Sequence, residues 1–342
     1  MRYGIIDIGS NTIRLNIYKV ERDKATLLLS KKNMAGLASF VKKQEINKQG
    51  IDRAVEALLE FKDLLRQLGI DRVHAFATAA LRNIKNSTAA VDEISRRSGF
   101  EIQVLSGEKE AELDFIGATR SMQMKDGILI DIGGASTELV VYKDEEILQA
   151  CSLPVGSLNM YNAFVAHILP TKKERKEMQA KVLEELEKES AFAGEVYEEI
   201  CGVGGSIRAA GRLNNAIAEL PFSQGEIDAA HVKKLIKRLE NDEEDAWIST
   251  KTLDILLQIV PERVRTVLPG MIILQTLIKF FQAKRIRVCT TGIREGYLHA
   301  CVLGKAAEKK ADHQVLADNA AIAKNVKDKE KKISEDADRV TL

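Results

Sequence analysis

The sequence predicts an α/β fold made of two similar halves, and three observations lead there. First, GIIDIGSNTIRLNIYKV (residues 4–20) and GILIDIGGASTELVVY (127–142) follow one scheme: an apolar run, Asp-Ile-Gly, small polar residues, then a second alternating apolar run. Second, each half opens with strand-period alternation and continues with helical periodicity. Third, glycine turns recur at strand ends, in DIGS, DIGG, GVGG and TTGI. A length of 342 residues suits two domains. Duplicated α/β halves imply a pseudo-twofold arrangement with a cleft between them, and ligands favour such interfaces.

The elements follow in order. Ile5 to Asp7, Ile13 to Val20 and Ala25 to Lys32 read as three antiparallel strands joined by a Gly-Ser-Asn turn and a charged turn. Residues 47–68 read as an amphipathic helix, with Ile51, Val55, Leu58, Leu59, Leu65 and Leu68 at helical spacing and Gly69 ending it. A strand over 72–78, a helix over 87–97, a strand over 101–106 and a helix over 108–122 complete the first half. The second opens with ILID, TELVVY and EEILQACSLPV as strands. Helices follow near 157–168 and 171–190. EEICGVGG (198–205) reads as a strand running into a turn, with a helix from Ser206 to Leu213. Further helices fall at 228–240, 251–257 and 267–283, then a strand at 285–292 and a helix at 294–303. Residues 305–342 are rich in Lys, Glu, Asp and Ala, which suits a solvated helix or a disordered tail. The expected domains are therefore 1–125 and 126–304, with a charged tail over 305–342.

Composition narrows the function. A formal net charge of +1 carries no global footprint for nucleic acid or an anionic membrane. No apolar run approaches the ~20 residues that span a bilayer, and the N-terminus enters a strand without a signal-peptide pattern. Cys151, Cys201, Cys289 and Cys301 are scattered, as expected of reduced thiols in a cytoplasmic protein. His74, His167, His231, His299 and His313 show no ligand spacing. Lys31, Lys32, Lys42, Lys43 and Lys85 either guide a polyanion or are ordinary surface lysines.

The two Asp-Ile-Gly turns carry the chemistry. In DIGSNT, Asp7 ends a strand, Gly9 permits a tight turn, and Ser10, Asn11 and Thr12 bring peptide N–H groups and side-chain donors around a concavity. Successive N–H groups in a turn form an anion nest. In isolation the same residues make an ordinary hairpin turn. DIGGASTE repeats the arrangement with Asp131, Gly133, Gly134, Ser136 and Thr137. Two facing aspartates suit hydrated Mg²⁺, which uses few carboxylates plus substrate phosphates. CGVGGS (201–206) opens a helix after a strand, where free N–H groups attract anions.

Seven segments in register resemble the exopolyphosphatase and guanosine pentaphosphate phosphohydrolase family: DIGSNTIRL, TAALRNIKN (78–86), SGEKEA (106–111), DIGGASTEL, GVGGS (202–206), LPG (268–270) and GIREG (292–296). The resemblance covers about residues 3–303. It implies two actin-like (ribonuclease H-like) domains, each a mixed sheet with flanking helices, and an active-site cleft between them. It implies hydrolysis of a terminal phosphoanhydride with Mg²⁺. Glu110 matches the family's catalytic glutamate and would activate water; otherwise it is a first-turn helix glutamate favoured by the macrodipole. Asp131 would bind Mg²⁺ or position water, and Asp7 would support the metal. Arg82 matches an arginine able to fork two phosphate oxygens. Arg14 points at phosphate or caps the sheet. Gly204, Gly205 and Ser206 match a nucleotide-facing region and would hold a distal phosphate or a guanosine. The resemblance also allows a homodimer.

Two positions depart from the family pattern. Ala135 stands where a third glycine is common, so the turn is either alanine-compatible or re-aimed. Glu112 stands where an arginine is frequent, and a carboxylate close to Glu110 would raise its pKa. The first reading is an exopolyphosphatase acting on inorganic polyphosphate. The near rival removes the 5′-phosphate of guanosine pentaphosphate (pppGpp). An ATP-dependent kinase of the same fold and a non-catalytic phosphate sensor or actin-like filament protein are the rivals from other classes.

Overall fold

The computed structural model describes residues 1–22, 24–221, 225–240 and 248–304. The charged tail lies outside the described residues. β1 (Arg2–Ile8), β2 (Ile13–Glu21) and β3 (Lys24–Asn33) form the first meander, with Asp7 opposite Arg14. A two-strand ribbon, β4 (Val41–Lys42) and β5 (Glu45–Ile46), precedes α1 (Lys48–Gln67); it is too short to show a period in the sequence. β6 (Val73–Ala77) lies parallel to β1. After α2 (Ala79–Arg82) and α3 (Ser87–Ser98), β7 (Ile102–Val104) lies parallel to β6. The sheet order is β3-β2-β1-β6-β7.

α4 (Gly107–Ala118) leads to the second meander of β8 (Asp126–Ile132), β9 (Thr137–Lys143) and β10 (Glu146–Leu153). Then come α5 (Ser157–Phe164), α6 (Lys172–Lys188), β11 (Glu199–Val203), α7 (Gly204–Ile217), β12 (Glu226–Asp228) and α8 (Ala229–Leu239). α9 (Thr250–Ile259), α10 (Val267–Phe280), β13 (Arg285–Val288) and α11 (Ile293–Tyr297) follow. The second sheet runs β10-β9-β8-β11-β13-β12. Its first five strands repeat the first sheet position for position, and β12 is an added antiparallel edge. The expected boundary at 125/126 falls where β8 begins. Both sheets belong to one compact unit, Met1–Gly296. A second unit starts at Tyr297; its described part is a π-helical segment, Leu298–Gly304, in place of the regular helix expected to 303.

The central strands explain why the duplicated phrase is so apolar. RYGIIDI and DGILIDI have the same burial pattern, covered on both faces except at the first residue and the aspartate. Each fully buried Ile or Leu there contributes about 1.5–3 kcal/mol. α1 packs through Ile51, Ala54, Val55, Leu58, Phe61 and Leu65, whereas Leu59 and Leu68, expected on that face, are exposed. α4 is shorter than its periodicity suggested. A Cβ at Gly117 would stand 2.0 Å from the Gly292 carbonyl oxygen, and one at Gly296 would stand 1.8 Å from that of Leu113. The GIREG glycines therefore serve close backbone packing against α4. No described helix is long and apolar enough to cross a membrane.

Candidate active site

The two duplicated turns close identically and touch. Gly9 N–H donates to the Thr12 carbonyl at 3.2 Å, and Gly133 N–H donates to that of Ser136 at 3.0 Å. A Cβ on Gly134 would lie 3.0 Å from Ser10 Cβ and 3.2 Å from Asn11 N, so glycine lets the turns abut. The carbonyls of Ser10 and Asn11 accept from Ala38 and Gly36 N–H, and those of Gly133 and Gly134 accept from the first turn of α5. Among the described residues, the N–H groups of residues 10–12 and 134–136 donate to no backbone acceptor. Unused donors around a small cleft make an anion site. The cleft holds about 120 Å³ and is lined by both turns. Ala135 does not take a left-handed conformation, so the turn is alanine-compatible without strain.

Carboxylates gather at one side. Ser106 caps α4 by accepting from Lys109 N–H, which sets Glu110 at the cleft wall. Arg82 Nη1 donates to Glu110 Oε2 at 2.5 Å. Arg82 is itself braced by the Leu105 carbonyl at 3.3 Å and by Ser152 Oγ at 3.2 Å, and Ser152 donates to the buried Glu138 at 2.8 Å. Burial pushes the Glu110 carboxyl up to about 7; Arg82 opposes the rise, and Asp131 and Asp7 reinforce it. Glu112 does not contribute: it pairs with Lys109 at 2.9 Å, away from Glu110. Asp131 ends β8 against Gly204, whose φ of +85° admits glycine and whose Cβ would lie 1.8 Å from Asp131 Oδ1. Burial raises its pKa, against the pull of Arg208 and Arg294. Asp114, one helical turn beyond Glu110, is 1% exposed and neither of its oxygens closes a hydrogen bond. Burial, then Asp131, Glu110 and Glu138, hold it well above the usual carboxylate range.

Arginines gather at the other side. Arg294 pairs with Asp7 at 2.7 Å. Arg14, Arg208 and Arg263 line the same cleft. Arg14 and Arg263 have no carboxylate within ion-pair distance among the described residues. Burial and repulsion from neighbouring arginines bring each down to about 10. Gly205 makes room for Arg263, since a Cβ there would lie 1.9 Å from Nη2. Lys32 and Arg212 continue the positive region around Glu262, at 4.0 and 2.9 Å.

Residues 12–304 match the Ppx/GppA phosphatase family. The chain belongs to that family. It is 25% identical over 338 residues to exopolyphosphatase 1 of Mycobacterium tuberculosis, covering 96% of this chain and 94% of that one. It is 24% identical over 303 residues to the guanosine-5'-triphosphate,3'-diphosphate pyrophosphatase of Pseudoalteromonas atlantica, covering 87% of this chain and 58% of that one. The crystal structure of an exopolyphosphatase from Cytophaga hutchinsonii superposes with a TM-score of 0.76 at 25% identity, over 89% of this chain and 98% of that one.

In this Ppx/GppA phosphatase, Asp7, Ser10, Asn11, Thr12, Arg14, Glu110, Asp131, Gly133, Gly134, Ser136, Gly204 and Gly205 line one cleft. Three of the expected residues do not. Arg82 stands behind Glu110. Thr137 is fully buried and its hydroxyl donates to the Val155 carbonyl at 2.6 Å. Ser206 is buried beside Gly270. Sequence reasoning missed Asp114, Glu138, Arg208 and Arg263, and gave Arg294 no role. Asp114 had a signal, since i and i+4 share a helix face with Glu110. Arg294 lay inside GIREG, and Arg208 two residues beyond GVGGS. Arg263 had none; only tertiary packing brings it to the cleft.

Proposed function

We propose that this phosphatase is an exopolyphosphatase that hydrolyses the terminal phosphoanhydride of inorganic polyphosphate and releases orthophosphate. One observation carries the substrate choice: the described residues lining the cleft include four arginines and no aromatic ring. A chain of phosphates needs charge-assisted hydrogen bonds along its length and no surface on which to stack a base.

Glu110 takes a proton from water as the water oxygen attacks the terminal phosphorus. The bridging P–O bond breaks, the shortened chain keeps the electron pair, and the proton leaves with the orthophosphate. The N–H groups and side chains of Ser10, Asn11, Thr12, Gly133, Gly134 and Ser136 cradle the terminal phosphate. Arg14, Arg208, Arg263 and Arg294 offset charge on the chain. Arg82 orients the Glu110 carboxylate.

The residues also fit Mg²⁺. No three His, Cys, Asp or Glu side chains form a metal cage among the described residues, and Mg²⁺ needs none when phosphates and water complete its shell. Asp131 and the orphaned oxygens of Asp114 would hold it, and Asp7 offers only what its Arg294 pair leaves over. Bound there, the ion would neutralise phosphate charge.

The relative from Pseudoalteromonas favours a second reading, removal of the 5′-phosphate of pppGpp. Steady-state hydrolysis of long-chain polyphosphate and of pppGpp by the purified protein, with Mg²⁺, separates them. A higher kcat/KM on polyphosphate is expected; orthophosphate from pppGpp alone would reverse the assignment.

A further inference from the structure

A second cavity of about 960 Å³ adjoins the catalytic cleft, and Ala79 and Ala135 line both. Glu110 lines the cleft and not the chamber, whereas Arg82 lines the chamber and not the cleft. The Arg82–Glu110 ion pair therefore stands between them, beside the shared walls of Ala79 and Ala135. The charged groups facing the chamber are Lys42, Arg82 and Glu108. Glu108 is occupied at the α4 N-terminus, where its own N–H and Ser106 lower its pKa. Ser152, Asn83 and Asn159 add neutral polar groups.

The cleft has a direction. Glu110 has Arg82, Asp131, Asp7, Asp114 and Glu138 as charged neighbours, whereas Arg14 has Arg294, Arg208, Asp7 and Arg263. The order is chamber, Arg82, Glu110, the aspartates, then the arginines. In-line displacement puts the attacking and leaving oxygens on opposite sides of phosphorus. With Glu110 on the attacking side, the rest of the polyanion lies on the arginine side and fills that end. Charge agrees, since the chamber has two cations against the one carboxylate Glu108, whereas the arginine end has four cations against Asp7.

We propose that orthophosphate leaves through the second chamber, with Arg82 the ligand it meets first, while the shortened chain stays on the arginine side. The inference rests on the hydrolase reading above. No new bond is made in this step: the phosphate moves past the ion pair, and the chamber also admits the next water.

Narrowing the chamber at residues that do not line the cleft tests this. Ala163→Trp and Ser39→Trp, singly and together, place bulk at exposed positions of its wall. Acid quench reports phosphate formed, and a fluorescent phosphate-binding sensor reports phosphate released. Single-turnover formation should stay within about twofold, while the lag before release lengthens roughly fivefold in the double variant. Unchanged lag with unchanged KM, or a rise in KM for polyphosphate without a lag, overturns the proposal; the second outcome would give the chamber to the polymer. No phosphate formed by the wild type from polyphosphate or pppGpp would overturn the hydrolase reading itself, and the exit route with it.

Discussion

The two Asp-Ile-Gly hairpins share a backbone and not a charge. Their strands have the same burial, their turns close with the same hydrogen bond, and each aspartate faces the same register position on the next strand. Opposite Asp7 that position is Arg14, and opposite Asp131 it is Glu138. Asp7 is neutralised by Arg294. Asp131 sits with Asp114 and Glu138, and burial raises all three. A duplicated frame thus gives one cation-rich jaw and one anion-rich jaw. The first suits the phosphate chain and the second suits a metal.

The largest effect should come from the group between the jaws. Glu110→Gln is expected to lower kcat on polyphosphate about 10³-fold with KM little changed, since it removes the proton acceptor. The wild-type rate should climb as pH rises through about 7, because the raised Glu110 must lose its proton before it can accept one from water. A rate that is flat from pH 6 to 8 would contradict that role.

The asymmetry itself is tested next. Asp131→Asn is expected to cost roughly a hundredfold in kcat and to abolish stabilisation by Mg²⁺ in thermal melts, whereas Asp7→Asn should cost about tenfold and keep that stabilisation. Equal losses would mean that the jaws are functionally alike. Arg14→Ala, on the cation-rich jaw, should raise KM for polyphosphate about tenfold with a small change in kcat, the mark of an interaction equal in ground and transition states. The smallest effect belongs to Ala135→Gly. With Ala135 free of positive φ, the change should destabilise by less than about 1 kcal/mol and leave kcat within about twofold.

Much of the site was legible because it is local. Asp7 to Thr12 and Asp131 to Ser136 are contiguous turns, and a turn's chemistry follows from its own residues. Glu110 was legible through the motif around it. Of the arginine end only Arg14 was, because its members come from β2, α7, the residues before α10, and α11. No spacing along the chain links residues so far apart. Thr137 illustrates the converse: it belongs to the repeated phrase, yet strand alternation turns it inward, where Val155 takes its hydroxyl.

The sequence by itself determined the two meanders, the repeated order of strands, and the turns that present peptide N–H groups, because these depend on period-two patterning and on glycine at fixed places. Tertiary structure alone decided where charge goes. It buried Asp114 with neither carboxylate oxygen closing a hydrogen bond, placed Arg294 on Asp7, and set Asp131 between neighbouring acids and the guanidinium groups of Arg208 and Arg294. It also set the Arg82–Glu110 pair between two cavities. Protonation and pairing depend on what surrounds a group in space, and sequence neighbours supply little of that surrounding.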